Sequence, residues 1–128
     1  MNYIIMLLIV IGLAIADFAT GWIKGYCTNS WSSKVMRKGG LNKLCEIIVM
    51  AVAIGLDIGI EKLGAFYGHQ ELSGIAGVVT AVAVFVYIAI MELISILENY
   101  YAINNDAKWI GKFVKRLKIY TDNENKEE

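Results

Sequence analysis

Proline is absent from all 128 residues, and strand-like alternation of apolar and polar residues is absent with it. The two absences together favour helices. Cysteine is scarce: Cys27 and Cys45 have no C-x-x-C spacing and no clustered histidine beside them. Neither a metal site nor a disulfide is indicated, and both read as ordinary thiols in or near a cytosol-facing loop. The single histidine, His69, reads as structural rather than as a ligand. Ser95 has no base beside it, and no glycine-rich phosphate loop follows a strand. No catalytic set and no cofactor site emerge. Charge is also scarce: 19% of residues are charged and 57% hydrophobic, against about 25% and about 45–50% in soluble domains.

The charge that is present is segregated. Lys24, Lys34, Arg37, Lys38 and Lys43 form one block without an acid, and Lys108, Lys112, Lys115, Arg116 and Lys118 form a second. A formal net charge of zero built from separated blocks suggests membrane topology rather than a solvated surface.

The expected fold is an all-α membrane protein with about three transmembrane helices and a C-terminal basic amphipathic helix. The clearest span is 74–97, whose stretch 73–91 carries no charge; about 20 apolar residues cross the hydrocarbon core. A first span is expected over 3–23, apolar except for Asp17 and ending at the interfacial Trp22. Its rival is a cleaved signal peptide ending near Ala14-Ile15-Ala16, disfavoured by the lack of a basic n-region. A second span is expected over 44–63, although Glu46 and Asp57 interrupt it; the alternative is a re-entrant segment. Residues 1–101 would form the membrane domain, and 102–128 a cytoplasmic helix with a polar, unstructured tail after Thr121. Placing both basic blocks on the cytoplasmic side puts the N-terminus outside and the C-terminus inside.

Small residues recur at intervals of four: Ala51, Gly55 and Gly59; Gly12, Ala16 and Thr20; Gly77 and Ala81. Such rows let membrane helices approach closely. The polar exceptions within the spans are candidate assembly residues. Asp17, with Thr20 and Gly21 beside it, is the only charge in the first span, with Lys24 on the same face as a possible partner; Asp57 lies near the outer end of the second. At the end of the third, Glu92, Ser95, Glu98 and Asn99 fall within an arc of about 120°. Intramembrane ionisable groups usually mark a functional or buried polar contact, against the plainer reading that they snorkel or sit at an interface. Glu92 and Glu98 are expected to pair with the basic loop carrying Lys34, Arg37, Lys38 and Lys43.

Asp106 is expected to cap a final helix, "AKWIGKFVKRLKIY". Trp109, Ile110, Phe113, Val114, Leu117 and Tyr120 fall on one side of it, and Lys108, Lys112, Lys115, Arg116 and Lys118 on the other. Basic amphipathic helices lie on anionic membrane surfaces; little supports a nucleic-acid partner.

Three stretches carry a family resemblance. "ADFATGWIKG" (16–25) resembles the D-x-x-T-G end of a first membrane helix. "SSKVMRKGGLNK" (32–43) resembles the loop after it, and "MELISILEN" (91–99) resembles the E-x-x-S-x-x-E-N end of a last helix. Together they resemble the toxin-secretion and phage-lysis holins over roughly residues 3–99. The resemblance implies a homo-oligomer in the bacterial cytoplasmic membrane. Its lesions would release or activate an endolysin at a set time, or aid toxin release. The rivals are a small proton-coupled transporter subunit using Asp17 or Glu92, and an antiholin or regulatory partner.

Overall fold

The computed structural model describes residues 2–124, and its described residues are all-helical: α1 (Tyr3–Cys27), α2 (Ser33–Phe66), α3 (Gln70–Ile103) and α4 (Lys108–Glu124). α3 is central and packs against each of the other three; α1 also touches α2. The α1–α2 turn ends on Asn29 with φ 52°, and the α2–α3 turn on Gly68 with φ 78°. Both are Schellman closures: Ser30 N–H donates to the Gly25 carbonyl at 3.0 Å, and His69 N–H to the Gly64 carbonyl at 2.8 Å. The left-handed residue that closes such a turn is usually glycine or asparagine.

The turns make α1 and α2 antiparallel, α2 and α3 antiparallel, and α1 and α3 parallel. On α1 the inward stripe is Met6, Val10, Ala14, Asp17 and Gly25, the periodicity of one helix face. Met6 and Val10 meet Met50 of α2 and Ile88 of α3 in the main core cluster. That core is thin. Ile4, Leu8, Ile15, Val49, Val52, Leu56, Val79 and Val86 all point outward and exposed. Contiguous apolar exposure on this scale marks a surface meant for lipid or partners.

Two described helices, α1 and the 71–103 stretch of α3, are long and apolar enough to cross a membrane. α2 differs because Lys43, Glu46, Asp57 and Glu61 lie along its apolar stretch, so the expected three spans reduce to two on length and composition. Several boundaries also move. The basic loop expected at 32–43 is the first part of α2, which therefore begins well before residue 44; Cys45 lies within that helix, exposed. α4 begins at Lys108, and Asp106 takes part through its backbone, its carbonyl accepting from Lys108 N–H at 2.9 Å. α4 continues past Thr121 to Glu124; the rest of the expected unstructured tail, 125–128, lies outside the described residues.

The apolar side of α4 divides. Ile110, Val114 and Leu117 pack on Ile94 and Leu97 of α3, while Trp109, Phe113 and Tyr120 stay exposed. Gly111 lets Tyr101 approach, its ring 3.3 Å from where a Cβ would stand.

Candidate functional site

Asp17 belongs to the inward stripe of α1 and is buried. Because α1 and α2 run antiparallel, it meets Lys43, whose Nζ lies 2.7 Å from Asp17 Oδ2. The same ammonium pairs with Glu92 Oε1 of α3 and lies 3.5 Å from Glu46 Oε2, one turn along α2. Glu92 is 1% exposed. One lysine thus ties three helices through three carboxylates.

Asn99, two turns along α3 from Glu92, completes the layer. Its Nδ2 donates to Asp17 Oδ1 at 3.0 Å and to Thr20 Oγ1 at 3.1 Å. The Thr20 hydroxyl in turn donates to the Asp17 carbonyl at 3.0 Å. Gly21 keeps α1 close, since a Cβ there would stand 3.6 Å from Asn99 Nδ2. A cavity of about 330 Å³ adjoins the layer, lined in part by Asp17, Lys24, Lys43, Ser95 and Asn99. Both oxygens of Asp17 are held, which is how a buried charge offsets the loss of its hydration.

A second polar contact lies toward the other end of the bundle. The Tyr3 hydroxyl donates to Asp57 Oδ2 at 2.6 Å, and Asp57 is 1% exposed. Gly77 of α3 presses on the same residue: a Cβ there would meet the Asp57 carboxylate and come within 3.0 Å of its backbone oxygen. About 21 Å of helical rise separates Lys43 from Asp57 along α2, and the same rise separates Tyr3 from Asp17 along α1. The two polar levels therefore bracket the apolar core.

Asp17, Thr20, Gly21, Glu92, Ser95 and Asn99 are thus brought together, with Asp57 at a separate level. Two expected pairings differ, and Glu92 meets the expected basic run at one member of it, Lys43. The partner of Asp17 is Lys43 rather than Lys24. Glu92 pairs with Lys43, while Lys34, Arg37 and Lys38 are exposed along α2. Glu98 turns away from the bundle and pairs with Lys118 of α4, because its position on α3 is rotated toward the side α4 covers. Of the small-residue rows, Gly77 and Ala81 are buried between helices, whereas Ala51 and Gly55 face outward and are exposed. Nothing lies within 4 Å of a Cβ built at Gly12, Gly55 or Gly59.

These polar levels lie within the stretch matched by a family model. The model of the bacteriophage holin family matches residues 2–120. The chain belongs to the bacteriophage holin family. Holins are membrane proteins without enzymatic activity that form lesions. Comparison with curated proteins and with solved structures found no match.

Sequence reasoning missed the parts played by Tyr3 and Glu46 in this holin and took Lys43 for one of a basic run. A signal for two of the pairs was present. The positions of Asp17 and Lys43, and of Tyr3 and Asp57, add to the same total, so an antiparallel α1–α2 pair levels both contacts at once.

Proposed function

We propose that this holin oligomerises in the bacterial cytoplasmic membrane as a three-crossing bundle and opens lesions there at a set time. The lesions release or activate an endolysin, and the host cell lyses. The observation that carries the reading is the inverted distribution of side chains in a chain of this family: charged groups pair inside the bundle while large apolar residues cover its outside. That is where lipid places each kind.

The same observation supports α2 as the third crossing. Lys43 is ion-paired with α1 and α3, and Asp57 accepts from the Tyr3 hydroxyl of α1, so neither opposes insertion as an isolated charge would. Two levels about 21 Å apart fit within a hydrocarbon core of about 30 Å. Exposed aromatics mark both ends, Trp22, Tyr26 and Trp31 at one and Phe66 and Tyr67 at the other, as interfacial belts do. The N-terminus lies outside and the C-terminus inside.

Self-association uses the row of Ala51, Gly55 and Gly59, where Ala51 and Gly55 are exposed and no other atom of the bundle lies within 4 Å of a Cβ at Gly55 or Gly59. α4 holds to anionic lipid with the exposed Trp109, Phe113 and Tyr120 and its lysines, while Ile110 and Val114 keep it docked on α3. Toxin release at a toxin locus is served by the same lesion.

Induced expression tests the reading. The chain should halt growth and permeabilise cells abruptly, and a co-expressed endolysin should then lyse them. Altered efflux without abrupt death would favour a proton-coupled transporter subunit instead; protection from another holin would favour an antiholin.

A further inference from the structure

Lys43 is one cation among three carboxylates. Two carboxylate oxygens of this layer, Glu46 Oε2 and Glu92 Oε2, are buried and accept no hydrogen bond. They belong to side chains on facing helices, and both carboxylates converge on the Lys43 ammonium. Glu92 is 1% exposed. If both glutamates are ionised, each keeps one buried oxygen without a hydrogen bond, and burial makes such a vacancy costly. A proton on either one supplies the missing donor to the other.

We infer that Glu46 and Glu92 share one proton, and that this carboxylic acid–carboxylate pair is a proton-binding site joining α2 to α3. The charged groups facing it are Asp17 from α1, Lys43 from α2 itself, and the two glutamates; Lys24 lines the adjoining cavity. Lys118 of α4 is engaged by Glu98. With the proton in place, the ammonium of Lys43 faces two negative charges. Loss of the proton to water, by breaking one O–H bond, leaves three carboxylates around one ammonium and no donor between Glu46 and Glu92. Like charges this close cannot both stay ionised without strain, so raising the pH loosens the α2–α3 contact. The site thereby couples helix packing to proton activity. The inference rests on the bundle geometry and is independent of the lysis reading.

Infrared spectroscopy of the full-length chain in lipid bilayers tests it. Near neutral pH the wild type should show the carbonyl stretch of a protonated carboxylic acid, shifted by deuterium exchange and by carbon-13 labelling of glutamate. The band should fade on titration to alkaline pH. Glu46→Gln and Glu92→Gln should each abolish it, since the new amide donates to the remaining carboxylate and leaves that ionised. Absence of the band in the wild type would overturn the inference. So would a band indifferent to glutamate labelling, or one that survives in either variant. The labelling arm needs only the wild type, so misfolding of a variant does not remove the test.

Discussion

Lys43 Nζ sits 2.7 Å from Asp17 Oδ2 with side-chain exposures of 17% and 9%, and the same ammonium holds Glu92 of the third helix. Removing one member of a buried ion pair strands the other and costs about 3–5 kcal/mol, whereas replacing the whole set by neutral groups is often nearly neutral. Lys43→Met should therefore delay or abolish lysis at matched expression. The quadruple change Asp17→Asn, Lys43→Met, Glu46→Gln, Glu92→Gln should restore assembly, read by crosslinking into oligomers. If Lys43→Met lyses on the wild-type schedule, the layer does not govern assembly. The exchange partner for a Glu92→Lys change is correspondingly Lys43→Glu, and Lys34→Glu or Lys38→Glu should not rescue it.

Tyr3→Phe removes the donor to Asp57 Oδ2 and keeps the ring. A buried acceptor left unsatisfied costs about 1–3 kcal/mol, so thermal unfolding in detergent should occur at lower temperature. Tyr3→Phe combined with Asp57→Leu should recover part of the loss. A Tyr3→Phe protein with unchanged unfolding would show that the hydroxyl contributes nothing.

Gly77→Ala should separate α2 from α3, because the new methyl meets both the carboxylate and the backbone of Asp57. Overpacking of this kind costs about 1–3 kcal/mol. Gly55→Ala, where nothing stands within 4 Å, should leave the single bundle unaltered and change only contacts between copies. Equal effects of the two substitutions on unfolding would contradict this division.

Ending the chain after Asn105 should weaken or retime lysis while leaving insertion intact, because α4 packs on α3 through Ile110 and Val114 but supplies no crossing. Glu98→Gln should have a small effect. Its pair with Lys118 is half-exposed, and such pairs contribute about 0–1 kcal/mol. Loss of membrane association on truncation would assign α4 a larger part.

The helical class and the apolar lengths of α1 and α3 were legible because charge-free stretches leave little alternative. Asp17 and Glu92 were legible as odd residues in such stretches. The start of α2 was not, since a basic run without proline reads equally as a loop or as helix, and only packing on α1 and α3 decides. The partner of Asp17 was hidden for the same reason: Lys24 shares its helix and Lys43 does not, so the pairing depends on the antiparallel register. Glu98 reads as part of the Glu92 face by angle alone, yet the docking of α4 draws it to Lys118. The apolar side of α4 reads as one surface, and the structure divides it between α3 and the exterior.

The account rests on α2 crossing the membrane, because only then do the Lys43 and Asp57 levels lie inside the bilayer. Single cysteines at His69 and at Ser33, in a background lacking Cys27 and Cys45, test this with a membrane-impermeant thiol reagent applied to intact cells before lysis. The turn carrying His69 should be labelled from outside, and Ser33, at the start of α2, should react only after permeabilisation. Labelling of both positions from outside, or of neither, would place the two ends of α2 on one side of the membrane and contradict the account.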